Sequence, residues 1–331
     1  MISAVGLGPA SGDRQLISWI DPLARAAGIL DRLSVVHICD NELRAAHFGA
    51  GPDTEYEIGS VTKTMTSLLL AEAIDIGAVQ ADTALGDLLD LGDSPAAGVT
   101  LAELASHRSG LPRIADSVVD RVRAAFAVLR RRNPYTEDLP ALLRQARAAK
   151  VAARGKFSYS NLGSALLGQA LAARSATTYP ALLTDQLFTR LGMTSSTVPL
   201  TGRDLPSNAP TGWNADGKTE QAWTLGAYAP AGGVRSTPAD MVRYARALLG
   251  GTAPGLAALE PRWDANRPRR VGYGWCIDRI NGNDITWHNG TTGGFASIVA
   301  LHRDRGAAVI VTANTAVPLD DIAIQLLLDP P

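Results

Sequence analysis

The sequence predicts an α+β fold: an antiparallel five-stranded sheet, built from both ends of the chain and flanked by helices, with a mostly α-helical inserted domain. Three observations indicate this class. Apolar runs of strand length occur at 33–48 and again at 271–313. Helical periodicity dominates the chain between them, and Gly-containing pairs of the hairpin type separate the last strands. Strands at both ends with helices between them are typical of a sheet that carries an insertion.

The N-terminal part alternates between helical and extended patterns. Apolar residues recur at helical spacing over 14–30, with Pro22 inside the pattern, where it is expected to kink or restart the helix. Leu33–Cys39 is an apolar run of strand length, and Glu42–Phe48 follows closely enough to pair with it as a hairpin. The next helix is predicted from Ser60 to about Ile76.

The middle of the chain is mostly helical. The helical segments are 100–106, 116–131, 136–149, 160–174 and 178–190. Residues 192–235 are rich in Gly, Pro, Thr and Asn, so long loops are predicted there. Thr237–Leu249 is predicted as a helix because Ser236 or Thr237 can cap it and Pro238 suits its first turn.

The C-terminal part changes to extended patterns. The predicted strands are Val271–Arg279, Asp284–His288, Phe295–Arg303 and Ala307–Ala313. Asn281-Gly282 and Arg305-Gly306 are turn pairs between them, and a last helix is predicted over Leu319–Leu328. With 331 residues, the chain has room for about two domains. We expect one domain from 1–62 and 235–331, an all-helical one from 63–234, and the functional site in the cleft between them.

Composition excludes several classes of protein. Apolar residues make up 46% of the chain, and 31 Lys and Arg nearly balance 32 Asp and Glu, which argues against nucleic acid or an anionic membrane as the main partner. The two cysteines, Cys39 and Cys276, are expected to be free thiols, with a single disulfide as the alternative. We see no secretory signal over Met1–Gln15 and no apolar run long enough to span a bilayer. A cytoplasmic location is expected, or a periplasmic or extracellular one if a leader has been removed.

Several motifs are missing from the sequence. There is no G-x-S-x-G elbow, no Walker loop and no H-E-x-x-H, and the five histidines form no pair at metal-ligand spacing. No cofactor and no metal are therefore predicted.

The first motif that carries chemistry is Ser60-Val61-Thr62-Lys63. At a helix start, residues i and i+3 share a face, so the Lys63 amine is expected beside the Ser60 hydroxyl. A serine becomes a nucleophile when a neighbour takes its proton, and lysine can do so only as the neutral amine. The alternative is a plain helix cap at Ser60 with Lys63 on the surface.

Two further segments contain candidate catalytic or binding residues. Tyr159-Ser160-Asn161 opens an apolar helix, where the phenol is either core or a proton relay. The run Trp287–Phe295 joins two apolar strands, and its glycines indicate close approach of the backbone to another group, or else an ordinary Gly-rich turn.

The order and spacing of these elements resemble the serine β-lactamase/penicillin-binding-protein superfamily, and within it the class C-like branch. The resemblance covers roughly residues 33–315. Its segments are Ser60–Leu70, Leu104–Pro112, Tyr159–Gly163, Ala229–Thr237 and Trp287–Asn314.

The resemblance implies a role for each matching residue. Ser60 is the nucleophile, and Lys63 and Tyr159 share general-base and general-acid duty, with the first proton acceptor left open. The backbone N–H groups of Ser60 and Thr291 form the oxyanion hole. Asn161 positions Lys63 and the substrate. The residues expected to bind substrate beside Asn161 are His288, Asn289, Gly290, Gly232 and Arg113.

Two departures from the family pattern bear on the substrate. His288-Asn289-Gly290 stands in place of K-T-G, so a titratable ring replaces a fixed cation. Gly232 stands where class C β-lactamases tend to have the Tyr of Ala-Tyr-Gly. Both weaken the case for efficient β-lactam hydrolysis and favour the esterase and peptidase-like members. Arg113 either supplies a cation to the pocket or is solvated.

The sequence thus predicts a serine hydrolase that forms an acyl-enzyme on Ser60 from an amide or ester, with a small molecule or peptide as substrate. An acyltransferase that uses the same acyl-enzyme is the alternative within this chemistry. A non-catalytic ligand-binding or partner-binding member is the alternative outside it. The oligomeric state stays open.

Overall fold

The structure is a computed structural model, and it describes residues 6–40, 42–114 and 118–331. The first two residues of the helix predicted at 116–131 lie outside the described residues. Among the described residues, no helix combines the length and the apolar character needed to cross a bilayer.

One large antiparallel sheet organises the molecule. In the described part of the chain it contains nine strands in the order β1-β3-β2-β13-β12-β11-β10-β9-β8. The strands are β1 Ala10–Gly12, β2 Leu33–Cys39, β3 Glu42–Phe48, β4 Tyr56–Glu57, β5 Gly212–Trp213, β6 Thr219–Glu220, β7 Arg235–Ser236, β8 Trp263–Asp264, β9 Arg270–Val271, β10 Cys276–Ile280, β11 Asn283–Thr291, β12 Ala296–His302 and β13 Ala307–Ala313. β4 pairs with β7, and β5 with β6, in two separate ribbons.

The predicted fold class is confirmed, because strands from both ends of the chain share this sheet: β2 pairs with β13. The predicted count of five strands is wrong, because all six predicted strand segments contribute to the sheet and three further short strands join them. β1, β8 and β9 are only two or three residues long, which is too short for an alternating pattern to show in the sequence.

The predicted strand Val271–Arg279 is divided into two. Val271 ends β9 and pairs with Cys276 at the start of β10, so the chain reverses between them. The reversal needs Gly274, whose φ of 65° is favourable only for glycine. The continuous apolar pattern concealed this turn.

The described helices are α1 Arg14–Ala26, α2 Thr62–Asp75, α3 Leu101–Ala105, α4 Val118–Leu129, α5 Leu139–Ala148, α6 Asn161–Arg174, α7 Tyr179–Leu183, α8 Thr189–Leu191, α9 Ala229–Gly232, α10 Pro238–Leu249 and α11 Asp320–Leu328. A π-helical turn, Thr184–Phe188, links α7 to α8. The predicted loop at 192–235 contains short elements, among them β5, β6 and α9.

Both faces of the sheet are covered. The face of the sheet that carries Val35 packs against α1 and α11. The opposite face, which carries Val36, packs against the helices that include α2, α6 and α10. This alternation follows from the two-residue period of a strand. Along β11 it turns His288 toward the α2 side and Trp287 toward the other core. The division into two domains remains a prediction.

Candidate active site

Ser60 lies in a 3₁₀ turn, Gly59–Val61, that leads directly into α2. Lys63 follows one turn later on the same face, and its Nζ lies 2.8 Å from Ser60 Oγ. The amine also donates to the carbonyl oxygen of Ala231. Lys63 is only 2% exposed, so its nitrogen contacts the serine inside the protein and not in bulk water.

Burial lowers the pKa of Lys63 well below its ordinary value, and the nearby Arg113 guanidinium lowers it further. The environment therefore favours the neutral amine, which has a lone pair available for the proton of Ser60.

Tyr159 approaches the same oxygen from the N-terminus of α6. Its phenol donates to Ser60 Oγ at 2.8 Å. Burial raises the pKa of Tyr159, and the hydrogen bond to Ser60 only partly opposes this effect. The phenol consequently keeps its proton over the whole neutral range, beside an amine whose environment disfavours one.

A packed ring, His107, supports Tyr159 from behind. The two ring centroids are 4.4 Å apart, and His107 Nδ1 accepts the backbone N–H of Ser160 at 3.2 Å. Burial lowers the pKa of His107 well below its usual value, and Lys63 contributes to this shift. Sequence reasoning included His107 in a family-like segment but gave it no role, because a single buried histidine is usually structural. Its φ of 57° is set by the fold.

The end of β11 brings a second backbone segment to the nucleophile. A Cβ on Gly290 would collide with the carbonyl of Ile58 and lie 2.8 Å from the backbone N of Ser60. A Cβ on Gly59 would lie 2.9 Å from the backbone N of Thr291. The main chains of 59–60 and 290–291 are thus in direct contact, which requires glycine at both positions and places the two amides next to each other.

His288 faces this site, but Asn289 does not. Burial lowers the pKa of His288 to about 3, and Lys63 makes a smaller contribution in the same direction. The Nδ1 atom of His288 lies 2.6 Å from the Asn289 carbonyl oxygen. Asn289 points to the opposite face of the sheet, where its amide donates to Asp320 at 2.8 Å. The Asn289 side chain therefore faces away from Ser60, because adjacent residues of a strand face opposite sides, and substrate binding by Asn289 stays a prediction.

Asn161 lies next to the site but is not bound to Lys63. Its Nδ2 donates to the phenol of Tyr135 at 3.0 Å, and its buried Oδ1 has no hydrogen-bond partner among the residues that the structure describes. The predicted contact between Asn161 and Lys63 is corrected accordingly: Ser60 and a backbone carbonyl bind the amine. The guanidinium of Arg113 lies 5.5 Å from the ring centroid of Tyr159, so this predicted cation is at the site.

Gly232 follows directly after Ala231, the residue whose carbonyl binds Lys63. A Cβ on Gly232 would lie 3.5 Å from the backbone carbon of Gly59 and 3.2 Å from Leu225. The position therefore adjoins the nucleophile segment, and the lack of a side chain leaves this wall of the site formed by backbone.

Both cysteines are free thiols, as predicted. Across 6–40, 42–114 and 118–331, no group of three or more His, Cys, Asp or Glu side chains is arranged to hold a metal ion.

Comparison with known proteins places the chain in a family. A family model described as Beta-lactamase matches residues 33–329, so the chain belongs to the beta-lactamase family. The family and the structural neighbours of this chain are serine hydrolases of the beta-lactamase type, and this chain is an enzyme of the same type, with an S-x-x-K nucleophile.

Two curated relatives illustrate the similarity. Penicillin-binding protein 4 of Amycolatopsis lactamdurans is 27% identical over 301 residues, which cover 82% of this chain and 76% of that protein. The D-alanyl-D-alanine-carboxypeptidase/endopeptidase AmpH of Escherichia coli (strain K12) is 31% identical over 205 residues. That match covers 60% of this chain and 49% of AmpH.

Solved structures show the same fold. A class C beta-lactamase superimposes with a TM-score of 0.82 at 18% identity, covering 96% of both chains. The D-alanine carboxypeptidase AmpC from Burkholderia cenocepacia has a TM-score of 0.77 at 22% identity, covering 95% of this chain and 96% of its own.

Proposed function

We propose that this enzyme hydrolyses an amide or ester through an acyl-enzyme on Ser60. The observation that carries the proposal is the position of Ser60 Oγ, which lies 2.8 Å from both Lys63 Nζ and Tyr159 Oη. A serine hydroxyl between a base and an acid has the contacts that acyl transfer requires.

Acylation begins with proton transfer from Ser60 to the neutral amine of Lys63, while Oγ forms a bond to the substrate carbonyl. The sequence alone leaves open which group takes this proton. Burial favours Lys63, because it disfavours the ammonium and the phenolate alike and so leaves an uncharged amine beside a protonated phenol. The backbone N–H groups of Ser60 and Thr291 stabilise the oxyanion in this scheme.

Tyr159 is then the proton donor. The leaving group accepts the phenolic proton as its bond to the carbonyl carbon breaks, and the phenolate regains a proton from the Lys63 ammonium. In the second half-reaction water takes the position of the leaving group, gives up a proton to the Lys63–Tyr159 pair, and attacks the carbonyl carbon of the acyl-enzyme. The bond from that carbon to Ser60 Oγ then breaks, and Ser60 regains a proton from the same pair. An acceptor amine or alcohol in place of water would make the enzyme an acyltransferase.

The charge of the site bears on the substrate. His288 is neutral above about pH 4, since burial holds its pKa at about 3, so it supplies no fixed cation for a carboxylate. We propose Arg113 as the cation of the pocket and His288, Gly290, Gly232 and Asn161 as substrate-contacting positions. Small esters and D-amino-acid amides or peptides are the first substrates to screen, and the names of the relatives support the second class.

The test is covalent labelling with a small fluorophosphonate, read by intact mass and peptide mapping. We expect one adduct, on Ser60, and none in Ser60→Ala. Ser18→Ala, at an exposed serine of α1, is the matched control and should label normally. Folded protein that no fluorophosphonate, penicillin or activated ester modifies covalently would contradict the proposal and favour a ligand-binding role. Product partition between water and added glycine amide separates hydrolase from acyltransferase.

A further inference from the structure

A large cavity adjoins the proposed active site. Its volume is about 960 Å³, which is at the upper end for sites that take small-molecule ligands. It lies between α4 and the aromatic residues that follow it. The side chains that matter here are Val122, Val128, Leu129, Tyr135, Trp223 and Tyr228.

Two residues of the cavity wall contact residues of the site around Ser60. Arg113 lines the cavity and also lies over the ring of Tyr159, 5.5 Å from its centroid. Tyr135 lines it as well, and its phenol accepts a hydrogen bond from Asn161, the second residue after Tyr159. Arg113 and Tyr135 therefore place the cavity next to Tyr159, on the side where a substrate group bound at Ser60 would extend toward it.

Several polar side chains of the wall already have hydrogen-bond or ion-pair partners. The phenol of Tyr228 donates to Gln145 Oε1 at 2.8 Å, and the buried carboxylate of Glu137 is paired with Arg123. The cavity therefore presents mainly carbon atoms and aromatic faces, with Arg113 at its inner end.

Three apolar side chains in the outer wall of the cavity are largely exposed to solvent. Val122, Val128 and Leu129 on α4 are 63%, 55% and 80% exposed, and all three line this cavity. Contiguous exposed apolar surface in a monomer commonly marks a ligand or partner site. Here the surface surrounds an open cavity next to a nucleophile, so a ligand held in that cavity would cover it.

We propose that this cavity binds a large, uncharged, apolar group of the substrate. The inference rests on the proposed function and narrows its substrate class to esters or amides that carry an alkyl or aryl group of several carbons beside the scissile bond. Burying each methylene in the cavity would favour the transition state over the free substrate.

The first experiment varies chain length in two series of esters. One series extends the acyl group of p-nitrophenyl esters from acetate to octanoate, and the other extends the alcohol of acetate esters. We expect kcat/KM to rise at least about tenfold along one of them. The series that responds identifies which side of the scissile bond enters the cavity.

Variants connect that preference to the cavity. Ala125→Trp fills part of it from α4, and Leu129→Gln removes apolar wall at an exposed position that tolerates a polar side chain. In the series that responds, both are expected to lower the ratio of kcat/KM between the longest and the shortest ester by about tenfold. Ala173→Trp, at an exposed alanine near the other end of α6, is the matched control and should keep the native ratio.

The outcomes separate this inference from the proposed function. If Ser60 is labelled and small esters turn over, but neither series shows a chain-length preference, the cavity assignment is overturned while the acyl-enzyme stands. A preference that Ala125→Trp and Leu129→Gln leave unchanged, in variants that melt like the native enzyme, also overturns it. Failure of labelling at Ser60 refutes the acyl-enzyme itself.

Discussion

Arg235 and Glu57 form an ion pair inside the protein, with Nη1 and Oε1 2.8 Å apart. The two residues face each other across the ribbon of β4 and β7 and are 1% and 2% exposed. β4 precedes Ser60 by three residues, and β7 follows Ala231 by four. The pair thus ties together the two segments that contact Lys63.

Breaking this pair should destabilise the enzyme. Glu57→Gln removes the buried carboxylate and leaves the Arg235 guanidinium with Glu55 as its remaining partner, 2.7 Å away. We expect the free energy of unfolding to fall by about 3 kcal/mol in urea titrations. Asp21→Asn disrupts the exposed pair with Arg25 and is the control that should leave the midpoint near the native value. Equal, small effects in both variants would show that the buried pair contributes no more to the free energy of unfolding than the exposed pair does.

Lys63 can be tested for a trade-off between function and stability. Lys63→Arg keeps a cation that cannot act as a base, so kcat/KM should fall by about 10²–10⁴-fold. Lys63→Met should be equally inactive but at least as stable as the native protein, because an apolar side chain of similar length replaces a buried amine. Turnover near the native level in Lys63→Arg would contradict the role of general base.

The dependence of activity on pH should reflect Lys63 and not His288. The active amine is neutral, so kcat/KM should rise with pH through the lowered pKa of Lys63 and stay level while Tyr159 remains protonated. His288 loses its proton near pH 3 and contributes no limb above about pH 4. His288→Asn should change the rate and leave the acid limb in place. A limb that disappears in this variant would assign it to the histidine.

Acid should destabilise the fold through the same histidine. The unfolded chain binds a proton at His288 below its ordinary pKa of 6.5, whereas the folded chain binds it only near pH 3. The free energy of unfolding therefore falls as pH decreases through this window, by about 2 kcal/mol from this group at pH 5. In thermal unfolding scans, His288→Gln should show a flatter dependence of Tm on pH between 6.5 and 4. An unchanged slope would mean that His288 is accessible to protons in the folded state.

Gly290 tests the contact between β11 and the nucleophile. In Gly290→Ala the new methyl collides with Ile58 and with the amide of Ser60, so the proposed oxyanion hole should open and kcat should fall by about 10²-fold or more. Gly202→Ala is the control, because nothing lies within 4 Å of its Cβ position. Native kcat in Gly290→Ala would show that these amides do not stabilise the transition state.

Much of the fold follows from local patterns. The strands Leu33–Cys39 and Ala307–Ala313 have the bounds that their apolar runs indicate, and their pairing follows from the arrangement of strands at both chain ends. Short strands and the turn at Gly274 were not predictable, because two or three residues carry no periodicity. The helix predicted from Ser60 begins two residues later, at Thr62, because Ser60 itself lies in a 3₁₀ turn whose Gly59 packs against the backbone of Gly290.

The spacing of Ser60 and Lys63 along one helix start is a local property, and the sequence by itself determined that the hydroxyl and the amine share a face. Only the tertiary structure decided the rest. Tyr159, His107 and the end of β11 reach Ser60 through packing between distant segments, the burial that shifts the pKa of Lys63 comes from the whole surrounding core, and the cavity exists only where α4 meets residues a hundred positions away. Contacts within one helical turn are encoded by spacing, whereas desolvation and cavities depend on how all the elements pack together.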